Sequence, residues 1–513
     1  MSDLDNPELE NDSVEPEAPT PRRNARGAVL VGARIVTGAI GIAVAVATVG
    51  AAAWLPLPTL SRSSSSTTVT PVPTDQQRVC AGPVLRLGSD TGEGATTASS
   101  IGSPHTVSAA SEGKIAESSL QSTDSATGLT PVKFTLPPAG SASSRAPLLA
   151  GSQTQTVDHG DLSGVTAAEC REASGDTWLV GGATTTGRTT LVTISNPGEV
   201  IATVDLTVYT ENGEITAAGT DGVVVPPGGQ RILSLAGFAP GAASPVVRVQ
   251  SRGSQVVAQL QQSVVRTLEP GGVEIVGPAA DPAKLVVIPG LVLSDPETIA
   301  EHASSPGYDD LVSVLRFLVP GKKAAHAQIT ITAESGTAKP VVVNTTLDPG
   351  KVTETAFGEF PQGSYTVTVR ADVPILAAAR ASVYTVDSSA PDGVASVDFA
   401  WFASAQTMSK SALVAVGNGP TPQLHLANLT GQAATVSVTQ GALSPGSSHS
   451  APQTVTIPAE GAVVLPAQKL SSYAVSGFQS LAISVSYDGA GALASYTVSP
   501  AGPASQPIKV YRR

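Results

Sequence analysis

The sequence predicts a mainly β protein in which one N-terminal transmembrane helix is followed by tandem immunoglobulin-like β-sandwiches. Three observations lead to this fold class. One long apolar segment near the N-terminus carries no charge, and a pattern of alternating strands and turns recurs three times. The 513 residues also include 50 Gly and 40 Pro but only 14% charged residues, which disfavours coiled coils and large helical bundles.

The N-terminal region is predicted to cross a membrane. Residues 1–27 form an acidic, disordered cytoplasmic tail, because their composition cannot bury enough apolar surface to offset the entropy of ordering. Residues 28–55 form the transmembrane helix, whose uncharged part, 35–55, spans about 31 Å at 1.5 Å per residue. Arginines precede this segment and orient the N-terminus to the cytoplasm. A cleaved signal peptide ending near Ala51–Ala53 and a buried soluble helix are the alternatives.

The next two segments lead from the membrane to the repeats. Residues 56–78 are rich in Ser, Thr and Pro and predict a solvated stalk. Residues 79–175 predict a β module closed by a disulfide between Cys80 and Cys170, because disulfides persist outside the membrane and no other cysteine is available. Two unpaired buried thiols are the alternative. In the chain-entropy model such a disulfide stabilises the fold by about 4–5 kcal/mol.

Three copies of one unit follow, namely repeat 1 (176–280), repeat 2 (281–398) and repeat 3 (399–507). Each contains a strand that ends in a turn, an alternating strand, a turn opening a third strand, and a predicted closing hairpin. Turn residues Asn196, Val319 and Asn428 mark equivalent positions. The hairpins are predicted at 248–264, 368–383 and 484–498. Copies of this length with about seven short strands indicate immunoglobulin-like sandwiches, whereas propeller blades would be shorter.

Three segments are distinctive: the run from Cys170 to Gly182, the LVTISNPG segment at 191–198 and the VPPGG motif. In these segments the chain resembles an uncharacterised actinobacterial family of membrane-anchored, secreted β-sandwich proteins, a domain of unknown function. The resemblance transfers no catalytic residues. Because genes of that family often lie near those of a membrane glycosyltransferase and sugar-phosphate enzymes, the resemblance implies a role with cell-envelope glycans.

No motif in the sequence nominates catalytic, cofactor-binding or metal-ligating residues. The six histidines are scattered singly, without metal-binding spacing. His425 alternates with Leu424 and Leu426, which predicts a place on the solvent face of a strand. His159 lies in a turn-like VDHGD segment, and Trp178 and Trp401 are interpreted as core residues.

These observations predict a non-enzymatic, single-pass cell-membrane protein with a cytoplasmic N-terminus and an external C-terminal ectodomain. That ectodomain, pictured as a rod of sandwiches, would serve as a scaffold or protein-interaction module. The alternative is a glycan-binding or glycosyltransferase-accessory module of the envelope. The expected partners are the membrane and an envelope protein or glycan, whereas the net charge of −12 disfavours nucleic acid.

Overall fold

The computed structural model describes residues 40–48, 66–69, 75–88, 97–122, 124, 129–138, 147–387, 394–443, 450–500 and 508–511. The described chain is mainly β. It divides into two compact units, a terminal unit made of Met1–Val69 and Lys509–Arg513 and a main unit made of Thr70–Ile508.

The terminal unit contains one short helix and one strand pair. Residues 40–48 form helix α1, and β1 (Ser66–Val69) pairs with β34 (Ile508–Tyr511) in a two-stranded sheet. Among the described helices, none combines the length and the apolar character needed to cross a bilayer. The predicted tail, 1–27, and the rest of the predicted span, 28–39 and 49–55, lie outside the described residues. The predicted stalk differs from the structure in that β1 and most of β2 fall within it.

The β module consists of three small sheets around the disulfide. The sheets are β10-β9-β5, β2-β8-β6 and β3-β4. Phe134, Leu136 and Leu149 pack around the bridged cysteines. The strands are β2 (Gln76–Val79), β3 (Val84–Leu87), β4 (Ala98–Ile101), β5 (His105–Ala110), β6 (Ala116–Ser119), β7 (Gln121–Ser122), β8 (Val132–Leu136), β9 (Leu149–His159) and β10 (Leu162–Glu169).

Repeat 1 has two sheets, β11-β17-β13-β14 and β19-β18-β12-β16, and strand β7 of the module joins the second one by parallel pairing with β16. Alternation places Val204, Leu206 and Val208 of one sheet in the same hydrophobic cluster as Val192 and Ile194 of the other. The elements are β11 (Asp176–Val180), β12 (Arg188–Asn196), β13 (Ala202–Thr210), β14 (Gly213–Ile215), β15 (Val223–Val225), β16 (Gly229–Ser234), the 3₁₀ turn η1 (Leu235–Gly237), β17 (Val246–Arg252), β18 (Val257–Arg266) and β19 (Glu269–Val276).

Repeats 2 and 3 follow the same plan with one long strand each. The elements of repeat 2 are β20 (Ala283–Leu293), α2 (Pro296–Ala303), η2 (Asp309–Leu311), β21 (Val314–Leu318), β22 (Ala325–Ala333), β23 (Val341–Leu347), β24 (Val352–Ala356), β25 (Gly363–Asp387) and β26 (Val394–Ala403). Those of repeat 3 are β27 (Met408–Val416), β28 (Pro422–Asn428), β29 (Ala434–Ala442), β30 (Gln453–Ile457), β31 (Ala462–Pro466), β32 (Ser471–Gly489) and β33 (Ala492–Thr497). The predicted end of repeat 2, residue 398, lies inside strand β26. Because β26 pairs with β25 as far as Ala403, repeat 2 extends to Ala403 in the structure.

The turn equivalence between repeats 1 and 3 extends to atomic detail. Asn196 Oδ1 accepts the Gly198 N–H at 3.0 Å, and Asn428 Oδ1 accepts the Thr430 N–H at 3.0 Å. Each Nδ2 donates to two carbonyls, one of them four residues ahead of its asparagine in the chain. The same side-chain turn therefore closes the same strand in both copies.

The predicted closing hairpins are wrong in two of the three copies. Residues 368–383 lie inside the single strand β25, and the segment 248–264 supplies β17 and β18, which belong to different sheets. Only 484–498 forms a hairpin, β32 with β33. The first half of β25 pairs with β20 and β22 and its second half with β21 and β26, so an extended backbone passes from one sheet to the other without a turn.

The last strands of the β module and of the three repeats meet in a closed cycle. Strand β10 contacts β19, β19 contacts β26, β26 contacts β33, and β33 contacts β10. We call these four strands the central ring. A linear rod would keep the module away from repeat 3, so the expected rod is wrong. The module therefore acts as a fourth member of the assembly.

Candidate functional site

The buried carboxyl group of Asp398 lies at the centre of the ring. Its Oδ2 accepts the backbone N–H of Val165 at 2.8 Å and that of Leu493 at 3.1 Å, and its Oδ1 accepts that of Val273 at 3.2 Å. These three donors belong to β10, β33 and β19. One side chain of β26 thus binds one backbone amide from each of the other ring strands.

Glycine makes this close approach possible. A Cβ on Gly164 would lie 2.6 Å from Asp398 Oδ1, and a Cβ on Gly272 would lie 2.8 Å from the same atom. Both glycines also have positive φ, +147° and +113°. Any larger residue there would clash with the carboxylate that joins the strands.

A second buried acid, Glu274 of β19, lies close enough to Asp398 for their charges to interact. Neither of its carboxyl oxygens has a hydrogen-bond partner of good geometry among the described residues, and the Ser495 backbone N–H only partly offsets the effect of burial on its pKa. Burial, and then the neighbouring Asp398, raise the pKa of Glu274 well above its usual range. Burial raises the pKa of Asp398 to about 8, although its backbone N–H donors act in the opposite direction.

The joint between repeats 1 and 2 is made by the buried Arg316 of β21. Its Nη1 donates to the carbonyls of Gly182 at 2.9 Å and Pro245 at 3.0 Å, and its Nε donates to Glu354 at 2.7 Å. The guanidinium carbon lies 4.4 Å from the centre of the Trp401 ring. Carbonyls, a carboxylate and an aromatic face together compensate a charge that burial would otherwise penalise.

The joint between repeats 2 and 3 contains a linear array of Ser486, His425 and Glu334. Ser486 Oγ lies 2.8 Å from His425 Nε2, and His425 Nδ1 lies 2.5 Å from Glu334 Oε2. The Thr366 hydroxyl and the Gly290 N–H donate to Glu334 Oε1 at 2.6 and 2.9 Å. This order of bonds matches that of serine hydrolases, but His425 and Ser486 have no exposed surface. Here the array supplies hydrogen-bond partners to a buried carboxyl group between two repeats.

The predicted solvent position of His425 is therefore wrong. Strand β28 does alternate, but the sheet face that carries His425 is covered by repeat 2 rather than by water. The equivalence of Asn196, Val319 and Asn428 places Thr193, Arg316 and His425 at one position, three residues earlier in each copy. All three are buried. The recurrence of a polar residue at this position in all three copies was the sequence feature that could have indicated an interface.

The last joint closes the ring between the β module and repeat 3. Arg171 Nη2 donates to Thr497 Oγ1 at 2.6 Å, and Arg171 Nε lies 2.9 Å from Glu169 Oε2. Glu169 in turn accepts the Ser499 N–H at 3.0 Å. Burial lowers the pKa of Arg171, and Glu169 opposes that shift. The contacts lie directly beside the disulfide.

The structure joins Cys80 and Cys170 in the disulfide that the sequence predicts, with 3.9 Å between their Cα atoms. Trp178 and Trp401 are both buried, as their interpretation as core residues requires. His159 ends β9 at a hairpin turn. Within the described ranges, no group of three or more His, Cys, Asp or Glu side chains could hold a metal ion.

Two adjoining clefts open at the ends of the central ring strands. The first, of ≈ 250 Å³, includes Arg171, Pro278, Gln406 and Ser499, which follow β10, β19, β26 and β33 in turn. The second, of ≈ 730 Å³, extends to Lys322 and Lys323. The two share three lining residues: Ser174, Asp176 and Asp281.

Comparisons with known proteins place the chain in a family but assign no activity. No curated protein sequence matches it. A crystal structure of Thermotoga maritima 1070 is similar at 17% identity over 23% of this chain and 92% of that chain, with a TM-score of 0.17, which supports no argument about fold or function. A family model described as a family of unknown function, DUF5719, matches residues 134–468. The chain belongs to the DUF5719 family.

Proposed function

We propose that the protein is a non-enzymatic, single-pass cell-envelope protein whose ectodomain serves as a scaffold for other envelope components. One observation carries this proposal. The charged and nucleophilic side chains that could perform chemistry, in particular Asp398, Arg316 and the Ser486–His425–Glu334 array, are buried where copies meet. Such joints favour a rigid body that presents fixed surfaces to partners.

Crosslinking in native membranes, followed by mass spectrometry of the captured proteins, tests the scaffold role. We expect the same envelope protein to be captured in repeated experiments. Capture only of randomly varying abundant proteins would count against a scaffold. Turnover of a peptidoglycan or glycan substrate by the purified protein, abolished in S486A but kept in the matched variant S495A, would show that the non-enzymatic part is wrong.

The membrane anchor is part of the same proposal. Residues 28–55 are uncharged from Ile35 onward and follow an arginine-rich segment, a sequence pattern typical of a helix with a cytoplasmic N-terminus. We expect the full chain to stay in the membrane fraction after carbonate extraction and a variant lacking residues 35–55 to leave it. Release of both by carbonate would exclude the anchor.

The finer domain organisation is also proposed. Repeats 1, 2 and 3 are interpreted as immunoglobulin-like sandwiches after a disulfide-closed module at 79–175, in an actinobacterial envelope protein. The two sheets of repeat 1 and their shared core support the sandwich interpretation. A crystal structure of the full chain in detergent tests this interpretation, because two packed sheets are expected in each repeat and a single unpacked sheet in any repeat would contradict it.

A second candidate function is that of a glycan-binding or glycosyltransferase-accessory module. The adjoining clefts favour it, because they cross several copies and combine arginines, lysines and carboxylates in one open surface. In the crosslinking experiment, capture of a membrane glycosyltransferase would favour this second function over a general scaffold.

A further inference from the structure

The second cleft has a fixed cationic floor. Arg248 lies flat on the buried Trp178, with its guanidinium carbon 4.9 Å from the ring centre. Asp176 accepts from Arg248 Nε at 2.9 Å and from Nη2 at 2.5 Å. This two-bond pairing with Asp176 raises the pKa of Arg248. The planar head is thereby held in one orientation, while Nη1 has no hydrogen-bond partner among the described residues.

The far end of the cleft carries uncompensated positive charge. Lys322 and Lys323 are exposed in the turn between β21 and β22, and neither has an ion-pair partner within the described part of the chain. The charge of Arg248 is balanced by Asp176, so the two lysines leave this end positive. On a chain of net charge −12, a positive cleft end favours an anionic ligand.

The arrangement of the two clefts favours a ligand large enough to contact both. They share the lining residues Ser174, Asp176 and Asp281, so the second cleft adjoins the first. Proline and valine side chains, Pro282, Pro320 and Val373, form its walls. Aliphatic walls with fixed and free cations suit a polymer whose apolar C–H faces alternate with charged groups.

We propose that Arg248, Lys322 and Lys323 bind an anionic glycan, a sugar polymer that carries carboxylate or phosphate groups, along the second cleft. Lys322 and Lys323 supply long-range attraction, and Arg248 Nη1 supplies a directional donor. This inference rests on the second candidate function and names its ligand class. Capture of an envelope partner by crosslinking does not require these lysines. The scaffold proposal and the glycan-binding proposal can therefore fail independently of each other.

Asp281 sets an additional condition on this site. It lines both clefts, and burial, followed by the nearby Asp176, raises its pKa. Its negative charge opposes an anionic ligand, and its protonation removes that opposition. Binding should therefore strengthen as the pH falls through the raised pKa of Asp281, and D281N should bind severalfold more tightly than the unaltered chain at pH 7.

Calorimetric titration of the full chain in mild detergent tests the proposal. The probes are an oligogalacturonate, a phosphomannan oligosaccharide of similar length, a neutral galactose oligosaccharide and polyglutamate. We expect at least one of the first two to bind, with an affinity that drops about tenfold or more in K322E/K323E, while the neutral sugar does not bind. K339E/K351E is the matched control, since it changes the net charge equally but lies outside both clefts.

Several outcomes would overturn the proposal. Absence of binding to both anionic sugar polymers excludes the ligand class. An equal loss of affinity in K339E/K351E shows that only net charge matters, and equal binding of the neutral sugar shows that the cations are not used. Tighter binding of polyglutamate than of either sugar polymer would assign the cleft to an acidic peptide instead.

Discussion

At the scale of single residues, the buried polar groups act as joints between copies. Asp398 collects backbone amides from three strands, Arg316 caps carbonyls of repeat 1, and His425 pairs with Glu334 of repeat 2. Each joint satisfies a group whose isolated burial would cost several kcal/mol. Removing one partner therefore leaves the other buried and unsatisfied, which is the costly situation.

His425→Ala should lower the free energy of unfolding by about 3–5 kcal/mol, because it leaves the Glu334 carboxylate buried without its imidazole partner. Urea unfolding measures this change. His326→Ala is the matched control, since His326 is exposed and its loss should change stability by no more than about 0.5 kcal/mol. Equal losses in the two variants would contradict the role of His425 as a joint.

Stability should also fall as the pH rises from 5 to 8. The pKa of Asp398 is raised to about 8, so the folded chain keeps a proton that the unfolded chain releases above pH ~4. The stabilisation is thus complete below that pH and is lost as the pH rises towards 8. The expected slope is about 1.4 kcal/mol per pH unit for each carboxyl that stays protonated.

Urea unfolding at pH 5, 6, 7 and 8 measures that slope. Asp398→Asn should be less stable at pH 5, because its amide nitrogen cannot accept a backbone N–H, but it should show a flatter pH dependence. Glu274 contributes the remaining slope, since its pKa is also raised. An unchanged slope in D398N would exclude Asp398 as the titrating group.

At the scale of elements, the disulfide attaches the first strand of the main unit to the end of a ring strand. Cys80 follows β2 and Cys170 follows β10, and the Val79–Arg171 bridge lies beside them. The same short segment carries Glu169 and Arg171, which make the closing joint. The bridge thus supports both the small module core and the contact with repeat 3.

C80A/C170A should lose about 4–5 kcal/mol of stability, because the bridge closes a loop of 90 residues in the unfolded chain. Limited proteolysis should then cut the module before the repeats. Reductant added to the unaltered native chain is the control and should have no effect, since the two cysteines are 1% and 0% exposed. Equal protease resistance of the variant and the unaltered chain would contradict this prediction.

At the scale of the whole main unit, contacts distant in sequence close the assembly. Arg171 and Thr497 are separated by 326 residues and yet form a buried hydrogen bond. The closing joint makes the module and repeat 3 neighbours, so their stabilities should be coupled. A set of copies joined only to their sequence neighbours would show no such coupling.

A double-mutant cycle measures this coupling. Arg171→Met and Thr497→Val together should deviate from additivity by about 1–3 kcal/mol, the range for contacting buried groups. Arg231→Met with Thr497→Val is the control cycle, since Arg231 pairs with Asp124, and it should be additive within about 0.5 kcal/mol. Additivity in both cycles would show that the closing contact does not form in solution.

Local patterns predicted the β content, the equivalence of the Asn196 and Asn428 turns and the disulfide. Period-two alternation and turn residues are properties of short segments, and a single cysteine pair leaves one pairing. The same alternation led to the wrong prediction that His425 is exposed to solvent. Alternation shows that a strand has two different faces, but it does not show whether solvent or another part of the chain covers the second face.

The central ring was beyond the reach of such patterns. Asp398 lies in SVDFAWF, which reads as an ordinary strand, and its three amide donors come from residues 95 to 233 positions away. One local similarity was present in the sequence, because Gly164-Val165 of β10 and Gly272-Val273 of β19 are the same dipeptide and each supplies one of the amide donors to Asp398.

A closed ring of four strands has a consequence for copy number. An open array can gain or lose a repeat at its end, because each copy touches only its neighbours. Here the first and last members share a boundary, and one carboxyl group accepts three backbone amides from three different strands. A fifth copy would open that boundary, and a missing copy would leave Asp398 short of a donor. These contacts therefore fix the number of ring members at four.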